Sequence, residues 1–151
     1  MSLKDDLLRE LDEGYAAFKA TIEGLDDARL QRVFLGDWSA REVLAHVAGW
    51  HREMSGALER LGRGERPTAE GVSYADDTAW NAQFVEKARS LSPAEMRAEL
   101  DASFVAFRGA AAAVPEERYE AGRTVDRMLH TTGINHYREH GGQIEAWRRS
   151  L

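Results

Sequence analysis

The chain has 151 residues, 43% of them hydrophobic and 30% charged, with 26 acidic against 20 basic side chains and a formal charge of −6. That is the size and chemistry of one folded domain; it excludes intrinsic disorder, and with no basic stripe in view nucleic acid is not an expected partner. The absence of cysteine excludes a disulfide scaffold, a thiolate metal site and a cysteine nucleophile.

The N-terminal stretch MSLKDDLLRELDEG is charged and has no apolar h-region, so it does not read as a signal peptide. No apolar run approaches the ~20 residues needed to span a bilayer. A membrane partner is not expected, and the expected setting is cytoplasmic.

In chain order, the first helix carries an apolar stripe of Leu3, Leu7, Leu11, Tyr15, Phe18, Ile22 and Leu25. Steps of three and four keep these side chains on one face. The second helix starts at Ser39-Ala40-Arg41-Glu42, a capping-box pattern, and runs through Val43, Leu44, Val47, Met54, Leu58 and Leu61. The segment Gly62 to Pro67 ends it. A shorter helix is predicted over Asp77–Ser90, with Trp80 and Phe84 facing inward. Ser92-Pro93-Ala94-Glu95 is a second capping box, with proline at the first helical position, where its missing N–H does no harm. The helix after it carries Met96, Leu100, Phe104, Phe107, Ala111 and Val114, and Pro115 stops it. The last helix is predicted from about Val125 to Trp147. No segment of alternating β-branched residues competes with this reading. The expected fold is all-α: a four-helix bundle of up-down antiparallel helices, one domain over 1–151, with the Asp77–Ser90 helix as a shorter partner.

Five histidines stand at positions 46, 51, 130, 136 and 140. On a regular α-helix that starts at Leu129, residues Gly133, His136, His140, Gln143 and Trp147 fall within roughly 40° of one line. His136 and His140 then project side by side from an apolar stripe, at the i,i+4 spacing that lets two helical imidazoles share one metal ion. Imidazoles in place of core leucines destabilise a bundle unless their nitrogens find partners. A third ligand must come from another helix. His46 and His51 flank the second helix's stripe on opposite sides, and periodicity does not choose between them. His130 points about 100° away from the stripe and is expected at the surface. Tyr137 and Glu139 point off the stripe and read as surface or helix-contact residues.

Trp38-Ser39-Ala40-Arg41-Glu42-Val43-Leu44-Ala45-His46 resembles the W-S-x-x-E-x-L-x-H motif of the DinB/YfiT-like superfamily. His136-Tyr137-Arg138-Glu139-His140-Gly141-Gly142-Gln143-Ile144 resembles the same superfamily's H-x-x-x-H-x-x-Q-[IL] motif. The stretch Leu44 to His51, with Trp80-Asn81 further on, resembles the ClbS/DfsB-type branch. The resemblance implies a metal held by His46, His136 and His140, with His51 a neighbour and not a ligand.

Three neutral nitrogens leave at least one coordination position open, as in catalytic zinc sites, and nickel would accept the same donors. Gln143, one turn beyond His140, is the candidate hydrogen-bond partner that orients a ligand ring. Trp50 is the candidate pocket wall, and Asn81 a candidate polar group facing the pocket. Two reactions are expected from the resemblance: transfer of a low-molecular-weight thiol to an electrophile, or hydrolytic detoxification of a reactive small molecule. The alternative is a non-catalytic protein that sequesters a metal or a ligand. Trp147 and Leu151 near the chain end, with the superfamily resemblance, lead to the expectation of a symmetric homodimer burying on the order of 1,600 Å².

Overall fold

A computed structural model describes residues 2–151. Helix α1 (Leu3–Ile22) starts at Ser2, whose hydroxyl accepts from the Asp5 N–H. A single turn, α2 (Asp27–Leu30), leads into a short antiparallel ribbon of β1 (Val33–Leu35) and β2 (Trp38–Ser39). This ribbon is a small addition to an all-α fold, as expected; strands of three and two residues are too short to show a period of two. Then come α3 (Ala40–Gly62), α4 (Asp77–Ala88) and α5 (Pro93–Ala113). The last long element is composite. It runs from α6 (Thr124–Met128) through a π-helical segment (Leu129–Ile134) into α7 (Asn135–Arg149).

The four long helical elements form the bundle. α3 packs along α5, α1 packs along α7 and the π segment, and α4 lies on the outside of α3. The stripes read from the sequence meet in one core, with Leu11, Phe18, Leu44, Leu58, Leu100, Phe107 and Leu129 almost fully buried. Each such side chain stabilises the fold by about 1.5–3 kcal/mol through removal from water. Among the described residues no helix is long and apolar enough to cross a membrane.

Both serine starts are present. At α5, Ser92 Oγ accepts from the Glu95 N–H, and the Glu95 carboxylate accepts from the Ser92 N–H. At α3 the Glu42 carboxylate accepts from both the Ser39 N–H and the Ser39 hydroxyl. The C-termini of α1, α4 and α5 are closed differently, by long cationic side chains that arrive from other helices, whereas α3 ends on its own last turn, where the Arg63 and Gly64 N–H groups donate to Glu59, Arg60 and Leu61. Lys4 of α1 donates to the carbonyls of Ala112 and Val114 at the end of α5. Arg97 of α5 donates to Ile22 and Leu25, and Arg148 of α7 to Thr21 and Glu23, at the end of α1. Arg41 of α3 donates to Ala88 and Leu91 at the end of α4. Cations here also meet the negative end of each helix dipole.

Two glycines fix how close the elements approach. A Cβ built at Gly49 of α3 would overlap the Phe84 ring of α4, and one at Gly133 would overlap Leu11 Cδ1 of α1. Gly49→Ala therefore sets the helix preference for alanine, about 1 kcal/mol, against an overlap that the Phe84 ring cannot absorb in place. Overpacking of this kind costs about 1–3 kcal/mol. The expected result is a melting temperature lowered by a few degrees, with α4 displaced; an unchanged melting temperature would contradict the close approach of the two helices.

Trp147 is half-buried and its ring stacks on Phe34 of β1, with centroids 4.7 Å apart. Much of the aromatic surface behind the dimer expectation is thus taken up within the chain. Leu151 remains half exposed.

Candidate metal centre

The π segment decides which side chains the last helix turns inward. Its i→i+5 bonding advances less per residue than an α-helix does. The core-facing line that begins at Leu129 and Gly133 therefore continues through Ile134, Tyr137, Gly141 and Ile144. This corrects the sequence reading, which carries the line through His136, His140, Gln143 and Trp147 and places Tyr137 toward the surface. Tyr137 is 1% exposed. His136 and His140 lie beside the core line rather than on it, facing α3.

There they meet His46. One nitrogen from each of the three rings lies within 4.8 Å of the other two. The ring centroids are 4.5 Å apart for His46 and His136, 5.0 Å for His46 and His140, and 4.7 Å for His136 and His140.

Each ring is oriented from behind. His46 Nδ1 is 2.8 Å from Asn81 Oδ1 of α4. The same oxygen accepts from Trp50 Nε1–H at 2.7 Å. Indole is a donor only, so it identifies this amide atom as the oxygen, and His46 must donate to it from Nδ1. His136 Nδ1 is 3.1 Å from the Thr132 carbonyl, which only accepts, so this ring too carries its proton on Nδ1. His140 Nδ1 is 2.7 Å from Gln143 Oε1. All three rings therefore keep Nε2 as the free lone pair. The Nε2 atoms of His46 and His136 stand 2.6 Å apart. Two lone pairs this close repel, and a cation that accepts both would relieve the repulsion.

The surroundings hold His46 and His136 neutral. Burial, and then the charge of His140, pull the His46 pKa down to about 4, against the opposing pull of Asn81 and Asp77. Burial, and then His46 and His140, pull His136 down to about 3. Neutral imidazoles with converging lone pairs are the form a divalent cation binds, so the donor set fits a metal.

Each candidate can now be placed. Gln143 orients His140, Asn81 orients His46, and Trp50 holds Asn81 rather than forming a bare wall. Trp50 also joins Tyr74, Trp80 and Phe84 in an aromatic cluster beside Asn81, with Trp50–Phe84 centroids 5.2 Å apart and Tyr74–Trp80 centroids 5.0 Å apart. His51 does not join the triad; it is fully buried and hydrogen-bonded to Ser103 and Tyr137. His130 keeps about a third of its side chain exposed, as expected of a residue off the stripe, and bonds to the Asp126 carbonyl on its own helix.

Sequence reasoning misses four contributors. The Thr132 carbonyl carries no sequence signal. Trp38 packs on His46 at 5.1 Å, where the sequence shows it only as part of a motif. Tyr137 is misplaced by the regular-helix phase. Asp77 is exposed at the first turn of α4, and its charge reaches His46. Its i,i+4 spacing from Asn81 is the available clue.

Known proteins share this fold. Residues 11–139 match the family described as Mycothiol maleylpyruvate isomerase N-terminal domain. No curated protein matches the chain in sequence. Among solved structures, the colibactin self-resistance protein ClbS, crystallised in complex with a double-stranded DNA, superposes with a TM-score of 0.83 at 13% identity, over 98% of this chain and 96% of that one. DfsB, described as a sibling lethal factor precursor, superposes at 0.81 and 18% identity, over 97% and 95%. A protein from Streptococcus pneumoniae superposes at 0.80 and 15% identity, over 97% and 90%. Identities this low speak to the shared fold alone.

Proposed function

Because the chain belongs to the mycothiol maleylpyruvate isomerase N-terminal domain family, within the DinB-like superfamily that includes the ClbS/DfsB branch, we propose that it is a metal-dependent enzyme transferring a low-molecular-weight thiol to a small electrophile. The observation that carries this reading is the convergence of three imidazoles whose Nδ1 atoms are all directed at acceptors. His46, His136 and His140 would hold a divalent ion, zinc or nickel. When bound, the ion supplies Lewis acidity at an open coordination position, where it lowers the pKa of a thiol or a water.

The chain's own groups do the rest. Asn81, the Thr132 carbonyl and Gln143 hold the rings in the tautomer that leaves Nε2 free. Trp38, packed on His46, screens that ring from water. The cluster of Trp50, Tyr74, Trp80 and Phe84 offers apolar faces to an electrophile. Nucleic acid has no part in this proposal, since 26 acidic against 20 basic residues are the reverse of what phosphate binding needs.

A second reading, hydrolysis of a reactive small molecule, is favoured by the likeness to ClbS, described as a self-resistance protein. The same open position would then serve water. One experiment separates the readings. Untagged protein is analysed for metal, then apo and reloaded protein are assayed with several low-molecular-weight thiols and a chromogenic electrophile. Stoichiometric divalent metal and metal-dependent thioether formation are expected. Metal-dependent loss of the electrophile without thiol consumption would select hydrolysis. Metal with no turnover of any kind would select a sequestering protein, and protein free of metal even after reloading would defeat both metal-dependent reactions and metal sequestration.

A further inference from the structure

The triad leaves a second buried polar cluster unused. Tyr137, His51 and Ser103 come from α7, α3 and α5, and none is more than 1% exposed. Tyr137 Oη is 2.6 Å from His51 Nε2, and His51 Nδ1 is 2.9 Å from Ser103 Oγ. Ser103 Oγ in turn donates to the Leu100 carbonyl at 2.9 Å.

Only one arrangement of protons satisfies this chain. The Leu100 carbonyl can only accept, so the serine proton is committed to it. Ser103 must then accept from His51 Nδ1–H, which leaves His51 Nε2 as an acceptor, and Tyr137 must donate. The chain is fully satisfied and directional, with no exchangeable alternative.

Its position gives it a task. It ties together α3 and α7, the two helices that carry His46 and the His136/His140 pair. Tyr137 is also the first side chain after the π segment to enter the core. A regular α-helix would turn His136 and His140 onto the core line in its place; the π register turns them aside toward His46. π turns are short departures within α-helices and are common at functional sites. A buried phenol hydroxyl would lose its partner if α7 rotated back to α register, and burying an unpaired hydroxyl is unfavourable.

We propose that the Tyr137–His51–Ser103 hydrogen-bond chain is a register lock: it holds α7 in the rotation that aims His136 and His140 at His46. These are positioning residues, and the proposal rests on the reading that the triad holds a metal.

The test is Tyr137→Phe, which keeps the ring packed and removes only the hydroxyl. Cobalt(II) affinity is measured by competition with a chromogenic chelator, together with the visible ligand-field spectrum of the bound ion. Tyr15→Phe is the matched control: its hydroxyl bonds Asp101, away from the triad. Affinity is expected to fall at least about tenfold in Tyr137→Phe, the lower end for outer-sphere partners of a metal, and the spectrum to shift. Tyr15→Phe should change neither, whatever it does to the melting temperature. Native affinity and spectrum in Tyr137→Phe would overturn the lock. If Tyr137→Phe does not fold, Ser103→Ala, which breaks the far end of the chain, is measured in the same two ways: weakened affinity with a shifted spectrum supports the lock, and native values overturn it. Failure of the native chain to bind cobalt would instead remove the metal reading itself, and the lock with it.

Discussion

Replacing His140 with alanine is expected to abolish stoichiometric metal binding. The substitution removes one of three converging donors and leaves Gln143 without the ring it orients. Losing an outer-sphere partner lowers metal affinity by about 10–100-fold; losing a donor from a three-nitrogen set should exceed that. His130→Ala is the control, because that ring bonds within its own helix. Metal content by mass spectrometry and affinity by calorimetry check both variants. Full occupancy in the triple variant of His46, His136 and His140 would overturn the assignment. Chelation of the native protein should lower its melting temperature yet leave the helical circular dichroism in place, since the core is closed by Leu11, Leu44, Leu100 and Phe107 without help from the triad.

The metal-free protein is expected to unfold in mild acid. His46, His51 and His136 have folded pKa values of about 4, 3 and 3, each lowered first of all by burial. In an unfolded chain all three titrate near 6.5. Above that pH both states are neutral at these sites and the histidines do not make stability depend on pH. Below it the unfolded chain takes up three protons that the folded chain refuses, so stability falls by up to about 4 kcal/mol per pH unit. A loss of that size over two units rivals the roughly 5–15 kcal/mol that holds a domain together. The urea midpoint of chelated protein should therefore be flat above pH 6.5 and drop steeply between pH 6.5 and about 4. A midpoint that stays level down to pH 5 would show that the buried rings accept protons in place.

Much of this architecture can be read in the sequence because its signals are local. The stripes at steps of three and four, the serines at 39 and 92 and the prolines at 93 and 115 each act within one turn of chain, and the helices begin and end where they say. The i,i+4 pair of His136 and His140 is local in the same sense. The rotation of that pair is not. The segment Leu129–Ile134 contains no proline and no inserted motif that marks a π turn. The turn goes with the contacts of Gly133 with Leu11 and of Tyr137 with His51, between residues more than 80 positions apart. Asn81 is legible as a polar residue on a helix, but its role as the partner of His46 depends on how close α4 comes to α3. That distance is set by the absence of a side chain at Gly49. The ribbon of Val33–Leu35 and Trp38–Ser39 is too short for a pattern of its own, yet it delivers Trp38 to His46 and Phe34 to Trp147.

The cations that close the helix ends bear on how the molecule assembles. Lys4 reaches a carbonyl 108 residues away, Arg97 one 75 residues away, Arg148 one 127 residues away and Arg41 one 47 residues away. N-terminal caps lie within three residues of the helices they start, so those starts can form in an isolated segment. The cationic closures of α1, α4 and α5 cannot: each waits for a helix from a distant part of the chain. Nascent α1, α4 and α5 should therefore hold their beginnings and fray at their ends until the bundle closes, and these closures then form at the same stage as the core. Native contacts of such long sequence separation slow the search for the fold. They also make its loss cooperative, since withdrawing any one long helix uncaps another.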